Sequence, residues 1–159
     1  PYIICNDYMY KELKNIKVPT TIMTNSAENN GNIFGAVDYL NHKKDIINTG
    51  VTIKEYEGGI SYHGKSMTID DDIAIVGSFN MDMRSAYIDT ELMLVINSKD
   101  INKQLKASME EYEKKAATVK NETEYSHIPE GMKMKELSDK KKNIKAWFGW
   151  AMNGLRFLF

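Results

Sequence analysis

The chain has 159 residues, the length of one domain, with 42% hydrophobic residues to form a core and an ordinary 27% charged. A net charge of −1 excludes the global basic field that draws proteins to nucleic acid. The single cysteine, Cys5, excludes an internal disulfide and a thiolate metal cluster, and fits a reducing compartment.

The first residues, "PYII", read as a strand already under way, and no charged segment followed by an apolar leader is present. We therefore expect a piece of a longer protein. "DYMYKELKNI" (7–16) has apolar positions near helical spacing, with Asp7 as N-cap. Pro19 breaks that helix, and "TTIMT" reads as a buried strand. "NSAENNGN" (25–32) is a polar loop long enough to line a site. "IFGAVDYLNHKKDIINTG" follows as an amphipathic helix closed by Gly50. "VTIKEY" alternates as a strand and "EGG" turns the chain. "SYHGKSMTI" and "IAIVG" read as two strands around Asp70, Asp71 and Asp72, and "FNMDMRSAY" as irregular or a short helical turn. "IDTELMLVI" is a further strand, and "DINKQLKASMEEYEKKAATVK" a helix capped by Asp100.

This order predicts an α/β lobe over residues 1–120, a mixed β-sheet flanked by helices. Residues 121–144 read as a polar connector, and 145–159 as an apolar, amphipathic tail helix. In the tail Trp147, Trp150, Ala151, Leu155 and Leu158 follow helical spacing, while Phe148, Met152, Phe157 and Phe159 widen the stripe. A bilayer span needs about 20 residues, more than this run offers. Flanked by Lys140, Lys141, Lys142, Lys145 and Arg156, it suits an interfacial helix on a membrane surface. A helix packed on another lobe is an equal alternative.

Chemistry concentrates in "YHGKSMTIDDDIAIVGSFNMD" (62–82). Alternation along a strand places His63, Lys65 and Met67 on one face, the first two about 7 Å apart by the strand rise. A half-buried strand gains nothing from an imidazole and an ammonium side by side. The pair suits a phosphoryl group: the imidazole attacks or donates a proton, and the ammonium neutralises oxygens. Gly77 allows close backbone approach, and Ser78 and Asn80 offer a hydroxyl and an amide to the same oxygens.

Written as H-x-K-x4-D-x6-G-S-x-N, the residues His63, Lys65, Asp70, Gly77, Ser78 and Asn80 form a pattern that resembles the phospholipase D superfamily signature at every position. "PYIICND", "TNS" (24–26), the Tyr39 helix, "TGVTIKEYEGG", "GSFNMDMRS" and the strand with Glu91 are similar, in order, to the second half of bacterial cardiolipin synthases. The resemblance covers roughly residues 1–110. It implies a bilobal enzyme in which each lobe brings one such motif to a shared site. One histidine attacks phosphorus to give a phosphohistidine, and the other protonates the leaving alcohol. For His63, in the second motif, the resemblance favours acid/base work and leaves the nucleophilic role open. Lys65 and Asn80 would hold phosphate oxygens with Ser78 in support, Asp70 would brace the strand end, and Gly77 would allow the bend. Glu91 resembles the carboxylate that orients the opposite lobe's histidine, and Arg84 and Ser85 match the loop-anchoring "RS".

No metal and no cofactor are implied. Asp71, Asp72, Asp82 and Asp89 read as turn and cap residues. His42, expected on an exposed helix face, and His127, in the connector, lack the x-K-x4-D context, so a second histidine must come from the absent N-terminal lobe or a second copy. The expected partners are a phospholipid, an alcohol or water acceptor, and a bacterial membrane surface contacted through 140–159. The alternatives are a metal-independent nuclease of the same superfamily, working as a dimer, and a non-catalytic membrane-binding lobe.

Overall fold

The computed structural model describes residues 3–152, 154 and 156, with the side chains of 148 and 150–152 left aside. Among the described residues, three hydrogen-bonded sheets are built from short strands. Ile3–Ile4 (β1) pairs in parallel with Met81–Asp82 (β6). Thr21–Asn25 (β2) runs parallel to Thr52–Tyr56 (β3), joined by the helix Ile33–Ile47 (α2), as a parallel pair requires. On the other side of β3, Ala116–Val119 (β8) and Tyr125–His127 (β9) add antiparallel strands. Ser66–Ile69 (β4), Ile73–Gly77 (β5) and Met93–Asn97 (β7) make the third sheet, all antiparallel. With parallel and antiparallel neighbours and helices against the sheets, the mixed α/β architecture expected from the sequence is what the chain adopts.

Local chemistry accounts for most boundaries. Asn6 caps Asp7–Asn15 (α1), its side chain accepting from Met9 N–H at 2.9 Å, so the cap is one residue earlier than Asp7. Asn32 caps α2, accepting from Phe34 and Gly35 N–H. Ser98, rather than Asp100, caps Lys99–Glu113 (α4). That helix stops at Glu113 and not at 120, because Ala116–Val119 leave it to pair with β3. Residues 125–127 pair as β9, and the last helix, Asp139–Met152 (α5), starts six residues before the expected tail. Residues 153, 155 and 157–159 of that tail, and the side chains of Phe148, Trp150, Ala151 and Met152, lie outside the described residues.

The core gathers Ile3, Cys5, Tyr39, Ile46, Val51 and Ile53, with Met9, Leu13, Ile22 and Met81 packed around it. Cys5 is fully buried, and burial pushes its thiol pKa up to about 12. Among these apolar groups lies an ionic cluster. Lys43 Nζ sits 2.8 Å from Glu55 Oε1, both side chains almost fully buried. The Tyr39 and Tyr125 hydroxyls donate to the two Glu55 oxygens at 2.5 Å each, which satisfies the carboxylate. Burial first, then the Glu55 charge, raises both phenol pKa values. His42 is half-buried, contrary to expectation, with Nδ1 3.0 Å from the Asp38 carbonyl oxygen.

Helix α4 covers one face of the third sheet, where Ala74 is fully buried and Asn102 Nδ2 donates to the Ile73 carbonyl at 2.6 Å. On the other face the cross-strand row Met67, Ile75 and Val95 leaves Met67 and Val95 exposed. Helix α5 lies against α2, where Asn41 Nδ2 donates to Gly149 O at 3.2 Å. Arg156 ties the segment after α5 to Asp38, with Nε 2.8 Å from Oδ1. No helix among the described residues is long and apolar enough to cross a membrane.

Candidate active site

The hairpin β4–β5 turns through Asp70–Asp72, with Asp70 at φ 47°. At its open end Gly77 N–H donates to the Lys65 carbonyl at 3.1 Å, one rung beyond the regular ladder. His63 and Gly64 precede that rung and belong to no strand. Strict alternation therefore does not bring His63 and Lys65 together. Their side chains still converge, with Lys65 Nζ 2.9 Å from His63 Nε2 and 3.4 Å from Nδ1. An ammonium donates to a ring nitrogen only when that nitrogen is unprotonated. Partial burial lowers the His63 pKa and the Lys65 charge adds to this, against a hydrogen bond with the Asn80 side chain, which raises it. Burial and the neighbouring ammonium thus both disfavour the protonated ring.

Asn80 reaches the histidine because the chain bends sharply after β5. A Cβ on Gly77 would fall 2.1 Å from the Leu92 carbonyl oxygen and 2.9 Å from Met93 Cα, so only glycine lets β5 and β7 close here. Ser78 N–H donates to Leu92 O at 3.0 Å. The Ser78 hydroxyl donates to Glu91 Oε2 and accepts from Leu92 N–H at 3.1 Å. Glu91 Oε1 accepts from Ser85 Oγ at 2.8 Å, and Ser85 Oγ accepts from Asn80 N–H at 3.3 Å. Glu91 thus sits at the centre of the bend, gripping a serine on each side. Asp82 caps the short helix Met83–Tyr87 (α3) through Ser85 N–H at 2.6 Å. Arg84 Nε is 3.0 Å from Asp89 and closes the loop from outside.

His63, Lys65, Gly77, Ser78, Asn80, Ser85 and Glu91 are therefore assembled around one bend. Asp70 is not among them. It occupies the hairpin turn at the far end of β4, where its carbonyl accepts from Lys106 Nζ. His42 lies on α2 and His127 on β9, outside the bend.

One set of residues escaped the sequence reading. Asn25 Oδ1 accepts from Tyr62 N–H at 2.8 Å, and Asn25 Nδ2 donates to the Tyr62 carbonyl at 2.8 Å. The "TNS" string was visible, but its contact lies 37 residues away in the chain.

Comparison with known proteins places this geometry. A family model described as cardiolipin synthase, PLD-like domain, matches residues 2–112. Cardiolipin synthase A of Wigglesworthia glossinidia brevipalpis is 35% identical over 68 residues, 43% of this chain and 14% of that protein. The enzyme of the same name from Yersinia pseudotuberculosis is 33% identical over 78 residues, 49% of this chain and 16% of that protein. The match thus spans a small part of each curated relative. The crystal structure of phosphatidylserine synthase from Haemophilus influenzae Rd KW20 superposes with a TM-score of 0.70 at 15% identity, covering 100% of this chain and 40% of that one, which establishes a shared fold. With the family model running through the His63–Asn80 bend and on to α4, the chain belongs to the cardiolipin synthase, phospholipase D-like domain family.

Proposed function

We propose that this chain supplies one wall of a phosphodiester-cleaving site that transfers phosphatidyl groups from a phospholipid to an alcohol or to water. The observation that carries the reading is the His63 ring 2.9 Å from the Lys65 ammonium and beside Asn80. A phosphate oxygen arriving there replaces the ring as acceptor for Lys65 and takes a second donor from the Asn80 amide. One histidine nitrogen attacks phosphorus, forming a P–N bond as the P–O bond to the leaving alkoxide breaks. A second histidine donates the proton that alkoxide needs. The acceptor hydroxyl then gives its proton to that same base, attacks phosphorus and breaks the P–N bond. The resemblance of the second motif gives His63 acid/base work, which needs the ring protonated before the first step, whereas its lowered pKa beside Lys65 favours the unprotonated ring that attack needs. The other histidine comes from a second lobe, and orienting it is the role given to Glu91, whose two oxygens accept from Ser78 and Ser85 at the bend.

Membrane contact is assigned to α5. Trp147 is 82% exposed and Lys140, Lys142 and Lys145 are exposed around it, a pairing suited to an anionic headgroup layer. The test is turnover of labelled phospholipid vesicles by the full-length protein, run beside a DNA-cleavage assay. His63→Asn and Lys65→Met are expected to abolish lipid turnover, and an alkaline detergent quench of the wild-type protein to trap a base-stable, acid-labile phosphohistidine. DNA cleavage without lipid turnover overturns the reading in favour of a nuclease.

A further inference from the structure

The segment that delivers His63 is irregular, so no strand ladder fixes its direction. Yet a ring that must meet phosphorus in line has little tolerance for misplacement. The needed precision comes from the loop after β2. Asn25 is 1% exposed, and its amide both accepts from and donates to the Tyr62 backbone, as a neighbouring strand would. Further contacts hold the same approach, three of them to residues 57, 60 and 61. Asn29 Nδ2 lies 3.2 Å from Asn25 Oδ1 and 3.3 Å from the Ile60 carbonyl oxygen. Ser26 Oγ donates to Glu57 Oε2 at 2.5 Å, and Gly31 N–H donates to Ser61 Oγ at 3.4 Å. The loop is held from behind by α5, where the buried Lys141 ammonium donates to the carbonyls of Ala27, Glu28 and Asn30 at 2.8, 2.6 and 3.0 Å.

We propose that Asn25 is a positioning residue for His63, acting through the Tyr62 peptide and touching no substrate. A two-point grip on the Tyr62 N–H and carbonyl fixes both peptides that flank Tyr62, the second of which enters His63, and a single hydrogen bond does not do this. The inference rests on the proposed reaction at His63, and the experiment separates the two. In the full-length protein, Asn25→Leu keeps the branched outline, with somewhat greater bulk, and removes both hydrogen bonds, whereas Asn25→Asp keeps the acceptor for Tyr62 N–H and removes the donor. Asn102→Leu is the control: a second asparagine, also 1% exposed, that donates to a backbone carbonyl away from the histidine.

The expected result is a kcat loss of roughly 10- to 100-fold in Asn25→Leu with KM within about threefold, and a smaller loss in Asn25→Asp. Asn102→Leu lowers the melting temperature but leaves kcat within about threefold. The NMR titration of His63 shifts in both Asn25 variants and not in Asn102→Leu. If Asn25→Leu folds with wild-type kcat and an unmoved His63 titration, the positioning role is wrong. Should Asn25→Leu fail to fold, a wild-type kcat and titration in Asn25→Asp overturn it equally. If His63→Asn itself leaves turnover intact, the proposed reaction fails instead.

Discussion

Replacing Gly77 by alanine tests whether the bend that carries Ser78 and Asn80 depends on close backbone approach. The added methyl would sit 2.1 Å from Leu92 O, 2.5 Å from Met93 Sδ and 2.9 Å from Met93 Cα, where ordinary contact begins at 3.4 Å. Met93 can swing its sulfur away, but the Leu92 carbonyl is backbone and must retreat by roughly 1 Å. That retreat removes the acceptor of Ser78 N–H, now at 3.0 Å, and loosens the Gly77–Met93 pairing at the end of β5 and β7. Overpacking of this kind costs about 1–3 kcal/mol and the lost hydrogen bond about 1 kcal/mol more. We expect Gly77→Ala to lose about 2–4 kcal/mol in urea unfolding with an unchanged m-value, and to lose phospholipid turnover even where folded, because Asn80 leaves the histidine. A stability change within about 0.5 kcal/mol together with wild-type turnover would show that the bend does not need glycine.

His63 should titrate below the ordinary histidine value of about 6.5 in NMR, and Lys65→Gln should move its midpoint upward. Because the folded pKa is the lower one, the unfolded chain binds the proton first. The group therefore costs nothing above the unfolded value, and its penalty grows as pH falls from there through the folded one. Glu55→Gln leaves Lys43 buried without its counter-charge and is expected to cost about 3–5 kcal/mol by chemical denaturation, most of it recovered in the double variant Lys43→Met with Glu55→Leu. A thiol reagent at neutral pH should modify Cys5 only at the rate of unfolding, since the group is buried and its pKa lies at about 12; fast labelling of the folded chain would contradict the core packing. Trp147→Ala should leave the unfolding midpoint unchanged and weaken sedimentation with anionic vesicles, and equal binding would remove α5 from the membrane contact.

The residues of the bend were legible because their spacing is local: His63, Lys65, Gly77, Ser78 and Asn80 fall within one hairpin and its exit. The way they meet was less so. His63 and Lys65 converge by side-chain reach across an irregular segment, and not by the alternation of a strand, which the backbone does not form there. The helix predicted to 120 overran because "EEYEKKAATVK" is rich in helix formers, while β3 offered Ala116–Val119 a partner that propensity does not register. Caps slipped by one or two residues, from Asp7 to Asn6 and from Asp100 to Ser98, since several good capping side chains stand together there. The Asn25 grip on Tyr62 and the seat of Lys141 among three carbonyls join residues 37 and more than 100 positions apart. No window along the chain contains them.

The stretch beyond residue 112 is outside the family match, yet β8 completes the flank of β3 and Tyr125 completes the shell of Glu55. A protein trimmed at that boundary would keep every residue of the signature and lose its last two strands. The bared edge of β3 would present unsatisfied amides to any passing chain, a template for aggregation. The border of inherited resemblance and the border of cooperative folding are different places on this chain.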